Sequence, residues 1–176
     1  FRRVLFRSFL IFILIDPLLL LSPGFQLSVL AVTGIVYLYP LVNGWYEPSN
    51  VVTSFIWSIV AISIAAQLAT LPVSLFYFHQ FPNYFLLSNL IILPISTILI
   101  FAGIGLILLS KWSSVALFLG AIVNQITKWM LDFAYLIQRL PFAVTDGLVL
   151  NLFETVLLYS IIFQLILFLI LFHFRQ

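Results

Sequence analysis

Four polar residues recur along one long apolar segment, at spacings that place them on the same side of a helix. They are Ser63, Gln67, Thr70 and Ser74. At about 100° per residue they fall within one narrow stripe. Hydroxyl and amide groups are costly in hydrocarbon unless they are paired or hydrated. The stripe therefore indicates either hydrogen bonds between helices or the wall of a hydrophilic path, and its residues favour neither.

A second stripe of small residues lies on nearly the opposite side of the same segment. It consists of Ser54, Ser58, Ala61, Ala65 and Ala69. Small side chains at this spacing allow another helix to approach closely. We therefore expect the segment to contact protein on this side.

The residue types that usually carry catalysis or bind metals are sparse. His79 and His173 lie far apart, cysteine is absent, and no HExxH, GxSxG or glycine-rich phosphate loop occurs. His79 is expected to form a hydrogen bond within its turn rather than to bind a metal. Asp16, which precedes Pro17, is expected at a turn or helix end, with a coupling site as the alternative. The sequence predicts neither an enzymatic activity nor a cofactor.

The composition of the chain indicates the structural class of the elements that position these residues. The 176-residue chain is 64% hydrophobic and 7% charged, whereas about a quarter of the residues of a soluble domain are charged. Its apolar runs approach or exceed the roughly 20 residues that cross a bilayer as a helix, and they lack the alternation of a barrel strand. We predict an all-α, polytopic transmembrane helix bundle. It should contain about five spanning or partial helices and one interfacial amphipathic helix.

Proline, glycine and polar clusters divide the chain into segments. A turn is predicted at Pro23-Gly24 and another at "FHQFPN" (78–83). Pro94 leaves two possibilities for its segment, either one kinked helix or a re-entrant piece followed by a span. The predicted apolar segments are 9–21, 26–42, 51–78, 84–109 and 148–174.

The segment 112–140 differs because it is strongly amphipathic. Its polar stripe consists of Asn124, Gln125, Lys128, Asp132, Tyr135 and Arg139. Such a helix suits the membrane interface; the alternative is a helix packed on the bundle with its polar stripe in water. Lys111, Lys128 and Arg139 would place this segment in the cytoplasm by the positive-inside rule. The turn 78–83 would then lie on the outer face.

Three stretches resemble the ComEC family of bacterial competence proteins. They are "DPLLLLSPGFQLSVLAVTGIVYLYP" (16–40), "SIAAQLATLPVSLFYFHQFPNYFLLSNLIILPISTILI" (63–100), and "RLPFAV" (139–144) followed by "LFETVLLY" (152–159). The resemblance implies a partial competence-type transmembrane domain over 9–176. In this family that domain is taken to form the inner-membrane channel for single-stranded DNA during natural transformation. Members usually also carry an OB-like domain and often a metallo-β-lactamase-like domain, so we expect this chain to be a fragment.

The resemblance favours a hydrophilic path over hydrogen bonds between helices. Polarity and placement then select the candidate path-lining residues, which are Gln26, Ser28, Ser63, Gln67, Thr70, Ser74, His79, Gln80, Asn83, Ser88 and Asn89. The implied partners are single-stranded DNA, the lipid bilayer, other competence machinery and the remainder of the membrane domain, with an oligomer possible. The implied location is the bacterial inner membrane. A secondary transporter for a small solute and a structural membrane scaffold are the alternatives.

The first eight residues, "FRRVLFRS", resemble the translation of a common sequencing adapter, and we interpret residues 1–8 as an artefact. Without Arg2, Arg3 and Arg7, four basic residues remain against five acidic ones, so the formal net charge changes from +2 to −1. The sequence pI of about 9.1 therefore gives no support to DNA binding. That hypothesis depends on the later segments alone.

Overall fold

Helices account for most of the computed structural model, which describes Leu14 and residues 16–173. A short 3-10 helix, Pro17–Leu21, precedes five α-helices. The helices are α1 (Pro23–Asn43), α2 (Val51–Phe78), α3 (Phe85–Leu108), α4 (Ser113–Gln138) and α5 (Leu152–His173). Two short strands, β1 (Gln80–Pro82) and β2 (Val144–Asp146), pair with each other. The predicted segment 9–21 falls partly outside the described residues.

Four helices, α1 to α4, contain stretches that are long and apolar enough to cross a membrane. In α4 this stretch is Ser114–Gln138, and α5 contributes a shorter apolar stretch, Leu152–Phe168. The prediction of a helical membrane protein is therefore confirmed. The interfacial placement of the helix over 112–140 stays a prediction.

Helix α1 begins where the sequence predicted a turn. Ser22 is its N-cap, and the Ser22 hydroxyl accepts a hydrogen bond of 3.3 Å from the backbone N–H of Phe25. Pro23 occupies the start of the helix, where its fixed φ fits and its missing N–H leaves no intrahelical bond unmade. The predicted turn at Pro23-Gly24 was wrong because proline can start a helix as well as break one.

Helix α2 has the predicted bounds, and both of its ends are capped. Asn50 Oδ1 accepts a 2.9 Å hydrogen bond from the Thr53 N–H, and the Thr53 hydroxyl reaches back to the Asn50 N–H. This reciprocal pair is a capping box. His79 ends the helix in the left-handed region, with φ of 56°. The buried Pro72 lies inside the helix.

The described chain divides into two compact units. The first comprises the described residues up to Phe81 together with those from Thr145 onward, and the second is Pro82–Val144. In the first unit, α1 packs along α2, and α5 also contacts α2. In the second unit, α3 packs against α4. Helix α3 is continuous through Pro94, so of the two possibilities for that segment the structure supports one helix.

Helices α3 and α4 form an antiparallel hairpin whose outer ends are joined by hydrogen bonds. The Asn83 N–H donates to the Ala143 carbonyl at 3.0 Å, and Asn83 Nδ2 donates to the Phe142 carbonyl at 2.6 Å. The Tyr84 hydroxyl donates to the Pro141 carbonyl at 3.0 Å. The start of α3 therefore lies beside the end of α4.

This contact contradicts the predicted orientation, which placed the turn 78–83 and the segment after 140 on opposite membrane faces. The positive-inside prediction takes Lys111, Lys128 and Arg139 to lie on one side of the membrane. The hydrogen bonds of Asn83 show instead that the two segments meet at the same end of the hairpin.

Candidate functional site

The small-residue stripe of α2 is the contact surface for α1. Ala61 and Ala65 are fully buried, with 0% of their surface exposed. Gly34 of α1 is seated so closely that an added Cβ would lie 2.7 Å from the Ala65 carbonyl oxygen and would also collide with the Ala69 Cβ. The predicted protein contact on this side of the segment is therefore confirmed. It fixes α2 against α1 and leaves the polar stripe on nearly the opposite side.

The polar stripe of α2 begins at a buried hydroxyl. Ser63 is 2% exposed. Among the described residues its Oγ has no hydrogen-bond partner. A buried hydroxyl without a partner is uncommon because its lost hydration is not replaced. The buried Ser63 hydroxyl therefore lacks the hydrogen bond that would compensate for its lost hydration.

Further along α2, one side chain of the polar stripe is hydrogen-bonded and two are not. The Thr70 hydroxyl donates to the Ala66 carbonyl at 2.9 Å, so the hydroxyl is satisfied by its own helix. Gln67 and Ser74 are half-buried. Within the described part of the chain their side chains make no hydrogen bond. Gln67, with two amide donors and a carbonyl acceptor, is thus the most capable free group on this face.

Gln26 and Ser28 lie near the start of α1. Gln26 Nε2 donates to the Leu20 carbonyl at 2.7 Å and so attaches the 3-10 helix to α1. Gln26 also borders an open cavity of about 310 Å³ together with Val73 and Tyr159. Ser28 is exposed. Gln26 is therefore held by a structural hydrogen bond while it faces this cavity.

Tyr159 of α5 is a contact that the sequence analysis missed. Its hydroxyl donates to the Ala69 carbonyl of α2 at 3.0 Å. It also borders a second cavity, of about 190 Å³, beside Gly34 and Ala69. The available signal was a tyrosine within the apolar stretch of α5, because a phenol in such a place requires a hydrogen-bond partner.

His79 has a structural role at the end of α2. Its ring Nδ1 lies 3.1 Å from the Leu75 carbonyl oxygen, and its own carbonyl accepts from the Leu148 N–H at 3.0 Å. His79 does form a hydrogen bond, as expected, but its partner is Leu75 of α2 and not a residue of the turn 78–83. Among the described residues no three His, Asp or Glu side chains are grouped as a metal site would require. Gln80 is exposed in β1.

The remaining candidates belong to the second unit. Asn83 is committed to closing the α3–α4 hairpin. Ser88 and Asn89 are half-buried on the first turns of α3. The candidates thus divide between the units, with Asn83, Ser88 and Asn89 in the second and the other eight in the first.

Acidic side chains near the helix ends act as caps. Glu154 Oε2 accepts from the Asn151 N–H at 2.9 Å, while Asn151 Oδ1 accepts from the Glu154 N–H at 2.9 Å. Asp16 Oδ1 accepts from the Leu18 N–H at 3.0 Å. The helix-end role expected for Asp16 is confirmed, and the carboxylate of Glu154 is likewise occupied by the backbone.

These features define a polytopic helical membrane protein with a partly unused polar face on α2. A family model described as "Competence protein" matches residues 1–174, and the chain belongs to this family. The match confirms the resemblance that the sequence motifs indicated. Comparisons with curated proteins and with solved structures give no match.

Proposed function

We propose that this chain is part of the inner-membrane channel that takes up single-stranded DNA during natural transformation. The observation that carries the proposal is the competence-family match over residues 1–174. The role assigned to the chain is conduction, and the chemistry of its polar groups is hydrogen bonding rather than catalysis. Its partners are the DNA strand, the surrounding lipid, the remainder of the membrane domain and the other competence proteins.

The polar face of α2 supplies a physical basis for weak contact with a passing strand. Gln67 offers amide donors to phosphate oxygens without the strong attraction of a cation. Weak binding suits conduction because a permeating species must leave each site as readily as it enters. The opposite face of α2 is fixed by Gly34 against Ala65 and Ala69, which holds the polar face in one orientation.

The experiment substitutes Gln67→Leu in the full-length gene and measures the transformation frequency with purified DNA at matched protein levels. We expect a reduction of at least tenfold, because leucine removes the amide and keeps a similar volume. Thr70→Val should reduce the frequency far less, since the Thr70 hydroxyl is already bonded to Ala66.

Gln164→Leu is the matched control, because it makes the same chemical change at an exposed position of α5 outside the candidate set. Unchanged transformation in the Gln67→Leu strain would remove α2 from the path. Equal losses in the Gln67→Leu and Gln164→Leu strains would show a general effect of losing an amide from a membrane helix.

A further inference from the structure

The polar stripe of α4 points directly away from α3. The residues of α4 that are sheltered from solvent lie on one side of the helix, and α4 packs against α3; they are Ala116, Leu119, Gly120, Val123, Ile126, Thr127, Met130, Phe133 and Ile137. At about 100° per residue, the stripe formed by Asn124, Gln125, Lys128, Asp132, Tyr135 and Arg139 is centred on the opposite side. All six of these residues are exposed in the described structure.

Contacts at both ends show that α4 runs antiparallel to α3 over nearly its full length. At one end the Tyr84 hydroxyl binds the Pro141 carbonyl. Near the other end, Gly120 lies beside Leu106, whose Cδ2 is 4.0 Å from the position of an added Cβ. Helix α3 has 24 residues and is therefore about 36 Å long. A helix lying flat at one end of α3 would carry its own far end away from Tyr84 instead of returning to it.

We propose that α4 crosses the membrane beside α3 and that its polar stripe forms a wall of a hydrated path for an anionic polymer. The polymer is the single-stranded DNA of the proposed function, and this part of the inference rests on that function. The spanning geometry rests on the hairpin alone. Helix α3 is the most apolar of the four candidate spans and has no buried residue. We therefore place α3 across the hydrocarbon core of the bilayer, and α4 crosses the bilayer beside it.

In this geometry the charged side chains of the stripe lie near the middle of the membrane, where loss of hydration is most costly. Counting from the two end contacts, Lys128 is level with Ile98 and Asp132 is level with Pro94, near the middle of α3. Neither side chain makes an ion pair or hydrogen bond to a described residue. Charged groups at mid-membrane depth face protein or water because exposure to lipid is too costly. Because no described residue pairs with these two charges, the proposed geometry turns the stripe toward an aqueous space.

The chemistry of the stripe fits a phosphate backbone. Lys128 and Arg139 outnumber Asp132, and Asn124 and Gln125 add amide donors. Phosphates attract Lys and Arg, and amide donors can bind phosphate oxygens without adding charge. The α4 stripe therefore carries both cations and neutral donors that can contact phosphate.

Site-directed spin labelling of the full-length protein in bilayers tests the spanning geometry. Residues 1–176 contain no cysteine, so once any cysteine elsewhere in the protein is replaced, single labels can be placed at Ile122, Trp129 and Leu136, exposed apolar positions spaced by seven residues on one side of α4. We expect three different immersion depths, in steps of about 10 Å along the helix axis. Three equal, shallow depths would place α4 in the interface and overturn the proposal.

A label at Asn124, which lies about 140° around α4 from Trp129, tests whether the stripe faces water. We expect a water-soluble paramagnetic quencher to reach a label at Asn124 but not one at the exposed apolar Trp129. An Asn124 label shielded from the quencher would mean that other protein covers the stripe, which would overturn the hydrated path. Neither measurement depends on DNA transport, so failure here differs from failure of the proposed function.

Charge removal tests the substrate class. Lys128→Gln should lower the transformation frequency at least fivefold, while Lys111→Gln, in the exposed turn before α4, should leave it within twofold of wild type. Unchanged transformation in the Lys128→Gln strain would overturn the assignment of the stripe to an anionic polymer, whatever the result at Gln67.

Discussion

The hydroxyl of Tyr159 in α5 donates a hydrogen bond of 3.0 Å to the backbone carbonyl of Ala69 in α2. The acceptor lies three residues before Pro72, which is buried inside α2. Proline removes a backbone donor from a helix, and neighbouring helices in a membrane often supply contacts near such a break. Tyr159 therefore joins α5 to α2 within one helical turn of Pro72.

Removal of the Tyr159 hydroxyl should weaken this connection. We expect Tyr159→Phe to lower the free energy of unfolding by about 1 kcal/mol, the usual net value of one such hydrogen bond. The measurement is denaturation of the full-length protein in mixed micelles. Tyr39→Phe is the control, because the half-buried Tyr39 makes no side-chain hydrogen bond to a described residue. Equal stability of the two variants would contradict the assigned role of Tyr159.

A methyl group at position 34 should separate α1 from α2. The Cβ of Gly34→Ala would collide with the Ala65 carbonyl and with Ala69, and overpacking of this kind costs about 1–3 kcal/mol. We expect a lower unfolding midpoint in the same assay, together with reduced DNA uptake as the face of α2 shifts.

Gly103→Ala is the control for that substitution. Nothing lies within 4 Å of an added Cβ at Gly103 of α3, and alanine favours the helix over glycine. A Gly34→Ala protein as stable as the Gly103→Ala protein would show that the close contact between α1 and α2 does not exist.

The closed end of the α3–α4 hairpin can be tested by a disulfide. The chain contains no cysteine, so an engineered pair reports directly on proximity. We expect Asn83→Cys combined with Ala143→Cys to form a cross-link under mild oxidation, because the backbones of these residues are hydrogen-bonded. Asn83→Cys combined with Ser110→Cys, at opposite ends of α3, should not cross-link. Absence of a cross-link in the Asn83→Cys and Ala143→Cys protein would contradict the closed end of the hairpin and restore the orientation that the positive-inside rule predicts.

Much of the helical structure was predictable because its signals are local. Helix α2 has the predicted bounds of 51–78 because Asn50 forms a capping box and the apolar run ends at His79. The small-residue stripe correctly indicated the contact with α1. The start of α1 was mispredicted because Pro23 suits both a turn and the first turn of a helix.

The missed features depend on residues far apart in the chain. The strands Gln80–Pro82 and Val144–Asp146 have three residues each, too few for an alternating pattern, and they exist because they pair with each other. The contact of Tyr159 with Ala69 joins residues 90 positions apart. Similarly, the polarity of Thr70 marked it as a candidate, while its bond to Ala66 became visible only in the structure.

Photo-cross-linking from position 67 to DNA in transit tests the central claim most directly. A photoreactive side chain replaces Gln67 in the full-length protein, labelled DNA is supplied to competent cells, and the cells are irradiated during uptake. The control places the same group at Ile100, an exposed apolar position of α3. We predict a covalent DNA adduct at position 67 and none at position 100. Continued DNA uptake without an adduct at position 67, or equal adducts at both positions, would contradict the assignment of α2 to the DNA path.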